Sequence, residues 1–290
     1  MVSVVIAAYN EARVLGGCLD ALFADRAGGL DVTVVANGCT DQTAAVARAR
    51  PGVRVIELAE ASKPAALNAG DAAAVGFPRV YLDGDIPLSG AAVRALAAAL
   101  PAGGPALVAI PRRALVLASR PLLVRAYYAV HARLPVFATG LFGRGAIAMS
   151  EAGRARFDRF PDLIADDLFL DSLFSRAERV VVDAVAAPVG TPLRTADLVR
   201  RLVRVRAGNA AMRAAGPGIR PAARLSWLTD VVLPRPWLAP AAVCYVGLTV
   251  TAALLARRRS RANHWGRDES SRAGVQRAPG RLSTRRSDRA

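Results

Sequence analysis

Cysteine and histidine are scarce in this chain, which limits the kinds of site that it can hold. The 290 residues include only three cysteines, Cys18, Cys39 and Cys244, and two histidines, His131 and His264. The cysteines are far apart and form no C-x-x-C pair, so we expect neither a disulfide framework nor a zinc site, and a reducing compartment fits. A bound metal would depend on carboxylates, which favours Mg²⁺ or Mn²⁺.

Acidic residues are in the minority, with 23 against 39 basic residues and a net charge of +16. Such a charge first suggests a nucleic acid partner. Half of the excess, however, lies from Arg257 to the C-terminus, where eleven arginines accompany three acidic residues and almost no large apolar side chains. This composition is typical of a disordered tail, and anionic lipid headgroups explain it better than nucleic acid does.

Strand-like and helix-like segments alternate over the first part of the chain. Short apolar runs predict strands at residues 4–8, 31–35, 53–56, 80–82 and 106–110. Segments with helical spacing of apolar residues lie between them. We therefore predict an α/β fold of the doubly wound type, with a mostly parallel sheet flanked by helices and with ligands at the carboxyl ends of its strands. Beyond residue 122 longer helical stretches follow, with one more short strand at 180–182.

Polar side chains follow three of the predicted strands. The triplet YNE at 9–11 follows the first strand, residues 37–41 follow the second, and DGD at 83–85 follows the fourth. Because the carboxyl ends of parallel strands meet at one edge of a sheet, we expect these groups to form one site. Two carboxylates spaced by one residue can share a divalent cation that neutralises a diphosphate. A solvated turn is the alternative interpretation of DGD.

Six motifs occur in the order and spacing of a known family. They are VVIAAYNE at 4–11, VVANGCTD at 34–41, KPAALNAG at 63–70, DGD at 83–85, TG at 139–140 followed by Arg144, and DDL at 166–168. Over roughly residues 2–210 the set resembles the family 2 glycosyltransferases, inverting enzymes of the GT-A fold. The resemblance implies transfer of a sugar of the hexose type from a nucleotide diphosphate donor, UDP-linked, to a hydroxyl acceptor, with Mn²⁺ or Mg²⁺ as cofactor. Cell-envelope or glycoconjugate synthesis would be its setting.

The resemblance also implies roles for individual residues. Asp85 would bind the metal directly, and Asp83 would lie between the metal and the ribose. Asp167 would be the general base that takes the proton of the acceptor hydroxyl, with Asp166 as the fallback. A helix N-cap pair is the alternative interpretation of these two residues. Substrate binding would involve Ala8, which replaces a family proline, and Tyr9, Glu11, Asn37, Lys63, Asn68, Asp83, Gly140, Arg201 and Arg204.

Lys63 is the only lysine in the chain, since the other 38 basic residues are arginine. A sequence with this bias that keeps one lysine inside a matching motif indicates a specific role for it. Contact with the donor diphosphate or nucleoside fits the resemblance, and a solvated helix start is the alternative.

The chain departs from the family pattern at two places. Ala36 and Asn37 stand where the family carries two aspartates that contact the base; an amide can pair with a uracil edge, but the nucleotide stays open. Arg200, Arg201 and Arg204 stand where a Q-x-x-R-W motif is common, which argues against a processive synthase; they would clamp the diphosphate or face a membrane. Two alternatives therefore stay open: a non-catalytic GT-A-like membrane-surface protein, and a nucleotidyltransferase, although its typical Gly-rich loop is absent.

Residues 237–256 contain no charged residue and are long enough to span a bilayer. Because the donor is cytosolic, a single span would place the Arg-rich tail outside, against the positive-inside rule. We therefore favour a re-entrant or interfacial helix over a transmembrane one, on the cytoplasmic face of the cell membrane, with 225–233 as a second arm. A lipid-linked acceptor would fit this setting. The predicted organisation is a catalytic domain at 1–210, an interfacial connector at 211–236, the apolar helix at 237–256 and a disordered tail at 257–290.

Overall fold

The computed structural model describes residues 1–25, 27–162, 166–215 and 225–259. Its strands are β1 (Val2–Ala8), β2 (Leu30–Asn37), β3 (Val53–Leu58), β4 (Arg79–Leu82), β5 (Val108–Val116), β6 (Ala146–Met149) and β7 (Arg179–Gly190). Its helices are α1 (Ala12–Phe23), α2 (Thr43–Arg48), α3 (Lys63–Ala73), α4 (Gly90–Ala98), α5 (Leu122–His131), α6 (Val136–Thr139), α7 (Glu151–Arg154), α8 (Asp166–Leu173), α9 (Thr195–Ala215) and α10 (Ala239–Arg259). The predicted disordered tail lies, from residue 260 onwards, outside the described residues.

The strands form one mixed sheet in the order β3-β2-β1-β4-β6-β5-β7. β1 pairs in parallel with β2 and β4, and β2 pairs in parallel with β3. β6 runs antiparallel to its neighbours β4 and β5, whereas β5 and β7 are parallel. The predicted α/β fold, with a mostly parallel sheet flanked by helices, is confirmed.

β1 lies between β2 and β4 inside the sheet and is buried on both faces. Val4 and Ile6 belong to a core that includes Leu15 of α1, while Val5 on the other face belongs to a core with Leu67 of α3. A strand that is covered on both sides has no polar face, which explains its continuous apolar run. This buried strand therefore positions the turn after β1 at the predicted site.

Part of the sheet differs from the sequence prediction. The apolar pattern misses β6, because the four apolar residues after Gly145 are too short a run to distinguish a strand from a turn. β5 and β7 also extend beyond the predicted 106–110 and 180–182, as far as Val116 and Gly190. The extension of β5 carries Arg112 and Arg113, so its polar sequence does not resemble a buried strand.

α10 packs along the folded domain. Tyr245 of α10 stacks on Tyr127 of α5 with the ring centroids 5.1 Å apart, and Ala242 is buried in a cluster with Val130 of α5. The predicted second arm at 225–233 contains one short π-helical turn, Trp227–Val232, which packs in the same cluster. Whether this segment and α10 act together as a membrane hairpin stays a prediction.

The outer side of the same region is apolar and exposed. Trp237 is 71% exposed and Val243 is 74% exposed. The helix from Pro236 to Arg257 is long and apolar enough to cross a membrane, although an apolar core helix passes the same test. Its spanning or interfacial arrangement stays a prediction.

Candidate active site

The turn after β1 and the turn after β4 meet at the carboxyl edge of the sheet. Glu11 is 6% exposed, and a Cβ atom on Gly84 would collide with its carboxylate. Asp83 and Asp85, on either side of Gly84, are half-buried. Burial and the negative charges of these three carboxylates raise the pKa of the buried Cys18 thiol. The acidic side chains from two strand ends therefore form one cluster, and only glycine fits between them.

The loop after β2 holds the turn after β1 in place. The Thr40 amide donates to Asn10 Oδ1 at 2.8 Å, and the Glu11 amide donates to Thr43 Oγ1 at 2.7 Å. The Ala12 amide donates to Asp41 Oδ2 at 3.2 Å. Asn10 has a φ of 51°, a left-handed conformation that asparagine tolerates better than most residues. The half-buried Tyr9 is thus carried by a backbone fixed on both sides.

Asn37 uses its amide within the protein. The side chain is 3% exposed, and Nδ2 donates to the Ala8 carbonyl oxygen at 2.8 Å. Ala8 is itself fully buried, so it offers no side chain to a ligand. The predicted use of the Asn37 amide on a uracil edge therefore has to compete with this bond between β1 and β2.

Lys63 connects the D-x-D cluster to the aspartate pair of α8. It stands in the first turn of α3, which Ser62 caps by accepting a hydrogen bond from the Ala65 amide. Lys63 Nζ lies 3.2 Å from Asp83 Oδ1 and 3.0 Å from Asp166 Oδ2. Desolvation lowers the pKa of Lys63, but the carboxylates of Asp166 and Asp83 raise it by a larger amount. The pKa of Lys63 is therefore well above its ordinary value. One cation thus joins the two acidic groups that the sequence places far apart.

Asp166 and Asp167 have different surroundings. Asp166 pairs with Lys63, whereas Asp167 Oδ2 accepts a hydrogen bond from the Gly143 amide at 3.3 Å. Burial and the negative charge of Asp166 raise the pKa of Asp167 to about 6, although Lys63 lowers it. A carboxylate with a pKa near the working pH can accept a proton and release it again. The geometry thus separates an ion-pairing aspartate from one suited to proton transfer.

A buried arginine organises the loop that supplies Gly143. Arg144 is 2% exposed and donates to four backbone carbonyl oxygens. These belong to Pro111, Phe137, Ala138 and Gly140. Gly140, predicted to bind substrate, is buried and contributes its carbonyl to this network. The loop at 137–144 is therefore fixed before any ligand arrives.

Asp171 and Arg179 hold the same loop from its other side, and sequence reasoning missed both. Asp171 is 2% exposed and accepts hydrogen bonds from the Leu141 amide and from Arg179. Arg179 also donates to the Thr139 carbonyl oxygen at 3.2 Å. The signal was present in the sequence, since Asp171 interrupts the apolar pattern of α8 at a buried position.

Asn68 and Arg201, both predicted to bind substrate, have contacts within the protein. Asn68 exchanges two hydrogen bonds with the backbone of Phe160, at 3.0 and 2.8 Å, so both ends of its amide position that segment. Arg201 of α9 donates to the Gly190 carbonyl oxygen at 3.1 Å and acts electrostatically on Arg113. Arg204 is half-buried one turn further along α9. Their predicted role as a clamp for the diphosphate stays a prediction.

The carboxylates fit a metal that is held jointly with a ligand. Among the residues that the structure describes, no three Asp, Glu, His or Cys side chains are arranged to hold a metal by themselves. Mg²⁺ sites in proteins commonly use one or two carboxylates and take their other oxygens from water and substrate phosphates. Asp83, with a 48% exposed side chain, and Asp85 offer this kind of incomplete site.

The fold and the site together define a class. The mixed, mostly parallel seven-stranded sheet flanked by helices is like that of GT-A glycosyltransferases. Residues 3–132 match the family model described as glycosyl transferase family 2. This match agrees with the resemblance to the family 2 glycosyltransferases inferred from the motifs and argues against a nucleotidyltransferase.

Solved structures show the same fold at low sequence identity. Glucosyl-3-phosphoglycerate synthase from Mycobacterium tuberculosis, in complex with Mn²⁺, UDP and glucosyl-3-phosphoglycerate, has a TM-score of 0.54 and 21% identity over 77% of this chain and 81% of its own. The same enzyme with Mg²⁺ and UDP gives a TM-score of 0.55 at 20% identity, with the same coverage. A mannosyltransferase from Pyrobaculum calidifontis, in complex with GDP-Man and Mn²⁺, gives 0.55 and 22% identity over 90% of this chain and 80% of its own. No curated protein sequence matches the chain.

Replacing Gly84 tests the contact between the two strand-end turns. The variant Gly84→Ala should lower the free energy of unfolding by about 1–3 kcal/mol, because the added methyl group displaces the Glu11 carboxylate. The measurement is chemical denaturation. Gly17→Ala is the matched control, since a Cβ there meets nothing within 4 Å and alanine is the better helix former. Equal stability of the Gly84 variant and the wild type would contradict the geometry.

Proposed function

We propose that this chain is an inverting glycosyltransferase that moves a hexose from a nucleotide diphosphate donor, UDP-linked, to a hydroxyl acceptor in cell-envelope or glycoconjugate synthesis. The observation that carries this proposal is the position of Lys63 between Asp83 and Asp166. Lys63 thereby connects the carboxylates that suit a diphosphate with the aspartate pair that suits proton removal. The complexes of the two similar enzymes with UDP or GDP-Man support a nucleotide-sugar donor.

The donor side consists of Asp83, Asp85 and Lys63. The two carboxylates would hold Mn²⁺ or Mg²⁺ together with the diphosphate, and such a metal neutralises the charge of the leaving phosphate. Lys63 would then turn from Asp83 towards the phosphate oxygens, since its ammonium group is a mobile point charge. The backbone held by Asn10 and Thr43 would form the wall beside the nucleoside.

Asp167 is the general base of the proposed reaction. Its carboxylate accepts the proton of the acceptor hydroxyl while the oxygen attacks the anomeric carbon from the face opposite the diphosphate. The new glycosidic bond forms as the bond to the diphosphate oxygen breaks, so the configuration inverts. Gly143 and the loop fixed by Arg144 keep the carboxylate in one position, which favours a reactive geometry.

We also infer that the chain acts at the cytoplasmic face of the cell membrane, with α10 lying in the interface. One side of this region packs on α5, and its other side exposes Leu233, Trp237 and Val243. A helix that is fixed along the domain on one side and apolar on the other suits burial to a shallow depth in the headgroup region. An acceptor linked to a lipid would reach the site from this side.

Nucleotide binding is the first test of the proposed function. Mn²⁺ together with one of UDP, GDP, dTDP or ADP should raise the melting temperature of the full chain in detergent. A ligand at a hundredfold excess over its Kd stabilises the folded state by about 2.7 kcal/mol. The shift should disappear in Asp85→Asn and remain in Asp162→Asn, an exposed aspartate. Wild-type protein that gives no shift with any nucleotide would contradict the donor site and favour the non-catalytic alternative.

Proton transfer by Asp167 predicts a particular pH dependence. The side chain must be ionised to act as a base, and its pKa is raised to about 6, so kcat/KM should fall about tenfold per unit below roughly pH 6. Asp167→Asn should lower turnover by about 10²–10⁴-fold and remove this limb while leaving nucleotide binding intact.

The variant Lys63→Gln tests the predicted effect of Lys63 on the pKa of Asp167. Lys63 lowers the pKa of Asp167, so its removal should move the acidic limb to higher pH. The position of the limb is the readout, because the loss of a phosphate contact lowers the rate without moving it. A limb that stays in place or moves to lower pH would refute the link between Lys63 and the base.

Vesicle flotation tests the interfacial helix. The double variant Trp237→Ser and Val243→Ser should weaken binding of the full chain to anionic vesicles at least about tenfold, since burying each large apolar side chain contributes about 1.5–3 kcal/mol. Val75→Ser, an equally exposed residue at the end of α3, should have no effect. Carbonate washing should release the wild type, and retention after washing would show a spanning helix instead.

A further inference from the structure

A cleft of about 230 Å³ lies beside the loop at 137–144. Arg112, Arg113, Phe137, Arg144 and Asp183 are among the residues that line it. It results from an irregularity in the sheet: Pro111 of β5 pairs with Val182 of β7, but the next residue, Arg112, pairs with Ala186. The intervening residues of β7 bulge away from β5, and the cleft opens at this point.

The cleft borders the proposed general base. The Gly143 amide donates to Asp167 Oδ2 at 3.3 Å. Arg113 Nη1 lies 3.5 Å from the position that a Cβ on Gly143 would occupy. A single backbone residue, which has a φ of +66° and no side chain, therefore separates the guanidinium group of Arg113 from the carboxylate of Asp167.

The cleft carries positive charge that the described residues leave uncompensated. Arg113 lies over the Phe137 ring, 4.1 Å from its centroid, and has no ion pair with any carboxylate in the described ranges. Burial lowers the pKa of Arg113, and so does the charge of Arg201. Arg144 has only carbonyl partners, and burial together with Arg113 lowers its pKa to about 10. Asp183 is the acidic residue among those that line the cleft; it is exposed and offsets only part of this positive charge.

Nearby His131 adds no positive charge. Burial, Arg113 and Arg201 lower its pKa to about 3, so the imidazole is neutral at physiological pH. Its ring packs against Phe137 with centroids 4.4 Å apart, and Nδ1 is buried without a hydrogen-bond partner among the described residues. Burial, together with the surrounding guanidinium groups, thus keeps this titratable group in its neutral form.

We infer that this cleft binds an anionic group of the acceptor, a phosphate or a carboxylate next to the hydroxyl that receives the sugar. A planar guanidinium without a carboxylate partner is suited to bidentate binding of such an oxyanion. Because Gly143 lies next to Arg113 and bonds to Asp167, an anion bound by Arg113 would lie near the base. This inference rests on the proposed function, because it names the chemical class of the acceptor for the same site.

The anion has two sources with the same chemistry. Ala132 lines the cleft and follows directly after α5, whose Tyr127 stacks on Tyr245 of α10. A phosphate on a lipid held near α10 and a phosphate on a small soluble acceptor would therefore both reach Arg113. Glycerol 3-phosphate and dihexanoyl phosphatidic acid carry the same phosphate monoester, without and with acyl chains, and distinguish the two sources.

The test is calorimetric titration of the full chain in detergent with both probes. Wild-type protein should bind at least one of them saturably, and Arg113→Gln should weaken this binding at least about tenfold, the loss expected for one charge-assisted contact. Arg113→Lys keeps the charge but not the planar guanidinium, so its affinity for the probe should lie between those of the wild type and Arg113→Gln. Arg176→Gln, an exposed arginine outside the cleft, should bind like the wild type. Preference for one probe identifies the source, and either preference supports the inference.

Three results would overturn the inference. They are no saturable binding of either probe, equal binding by Arg113→Gln and Arg176→Gln when both melt like the wild type, and displacement of the probe by UDP with Mn²⁺. The last result would assign the cleft to the donor. Because the titration needs neither donor nor turnover, it can succeed where nucleotide binding fails, so the inference and the proposed function fail separately.

Discussion

The site depends on the two ion pairs of Lys63. Asp83, Asp166 and Asp167 all act electrostatically on Lys63, and like charges in a partly desolvated place repel one another and destabilise the fold. A single ammonium group relieves this repulsion by lying 3.2 Å from one carboxylate and 3.0 Å from another. A compact point charge fits between two carboxylates that come from different elements, whereas a planar guanidinium requires a matching plane. This physical need explains why a chain with 38 arginines has a lysine here.

Much of the fold was predictable because β1, β2 and β4 follow simple local rules. A buried parallel strand appears in the sequence as an apolar run, and the polar residues after such strands lie at one edge of the sheet. The close approach of Glu11 and Gly84 follows from these two rules. The family motifs then placed Asp83, Asp85 and Asp167, whose predicted roles in metal binding and proton transfer stay predictions. The short β6 and the arginine-rich end of β5 lay outside these rules, since only their sheet partners identify them as strands.

The support of the site could not be predicted from local patterns, because it consists of contacts between distant residues. Asn68 bonds to Phe160, 92 residues away, and Arg144 reaches Pro111, 33 residues away. A sequence motif records that a polar residue is needed at a position, but not whether it binds a ligand or the protein's own backbone. The motifs therefore predict substrate contacts for Asn37 and Asn68, and the structure adds that their amides bond to β1 and to the segment before α8.

The same distinction separates the arginines around the loop at 137–144. Arg144 donates hydrogen bonds to four backbone carbonyl oxygens, so its guanidinium group stabilises the fold. Arg113, one strand away, has an aromatic ring beneath it and open space in front of it. A buried guanidinium is costly unless its donors are satisfied, so a fold that keeps Arg113 half-buried is under less strain when an anion is present. The departure from the Q-x-x-R-W motif therefore does not by itself imply a lost function, because the chain carries another arginine, Arg113 of β5, beside the loop at 137–144.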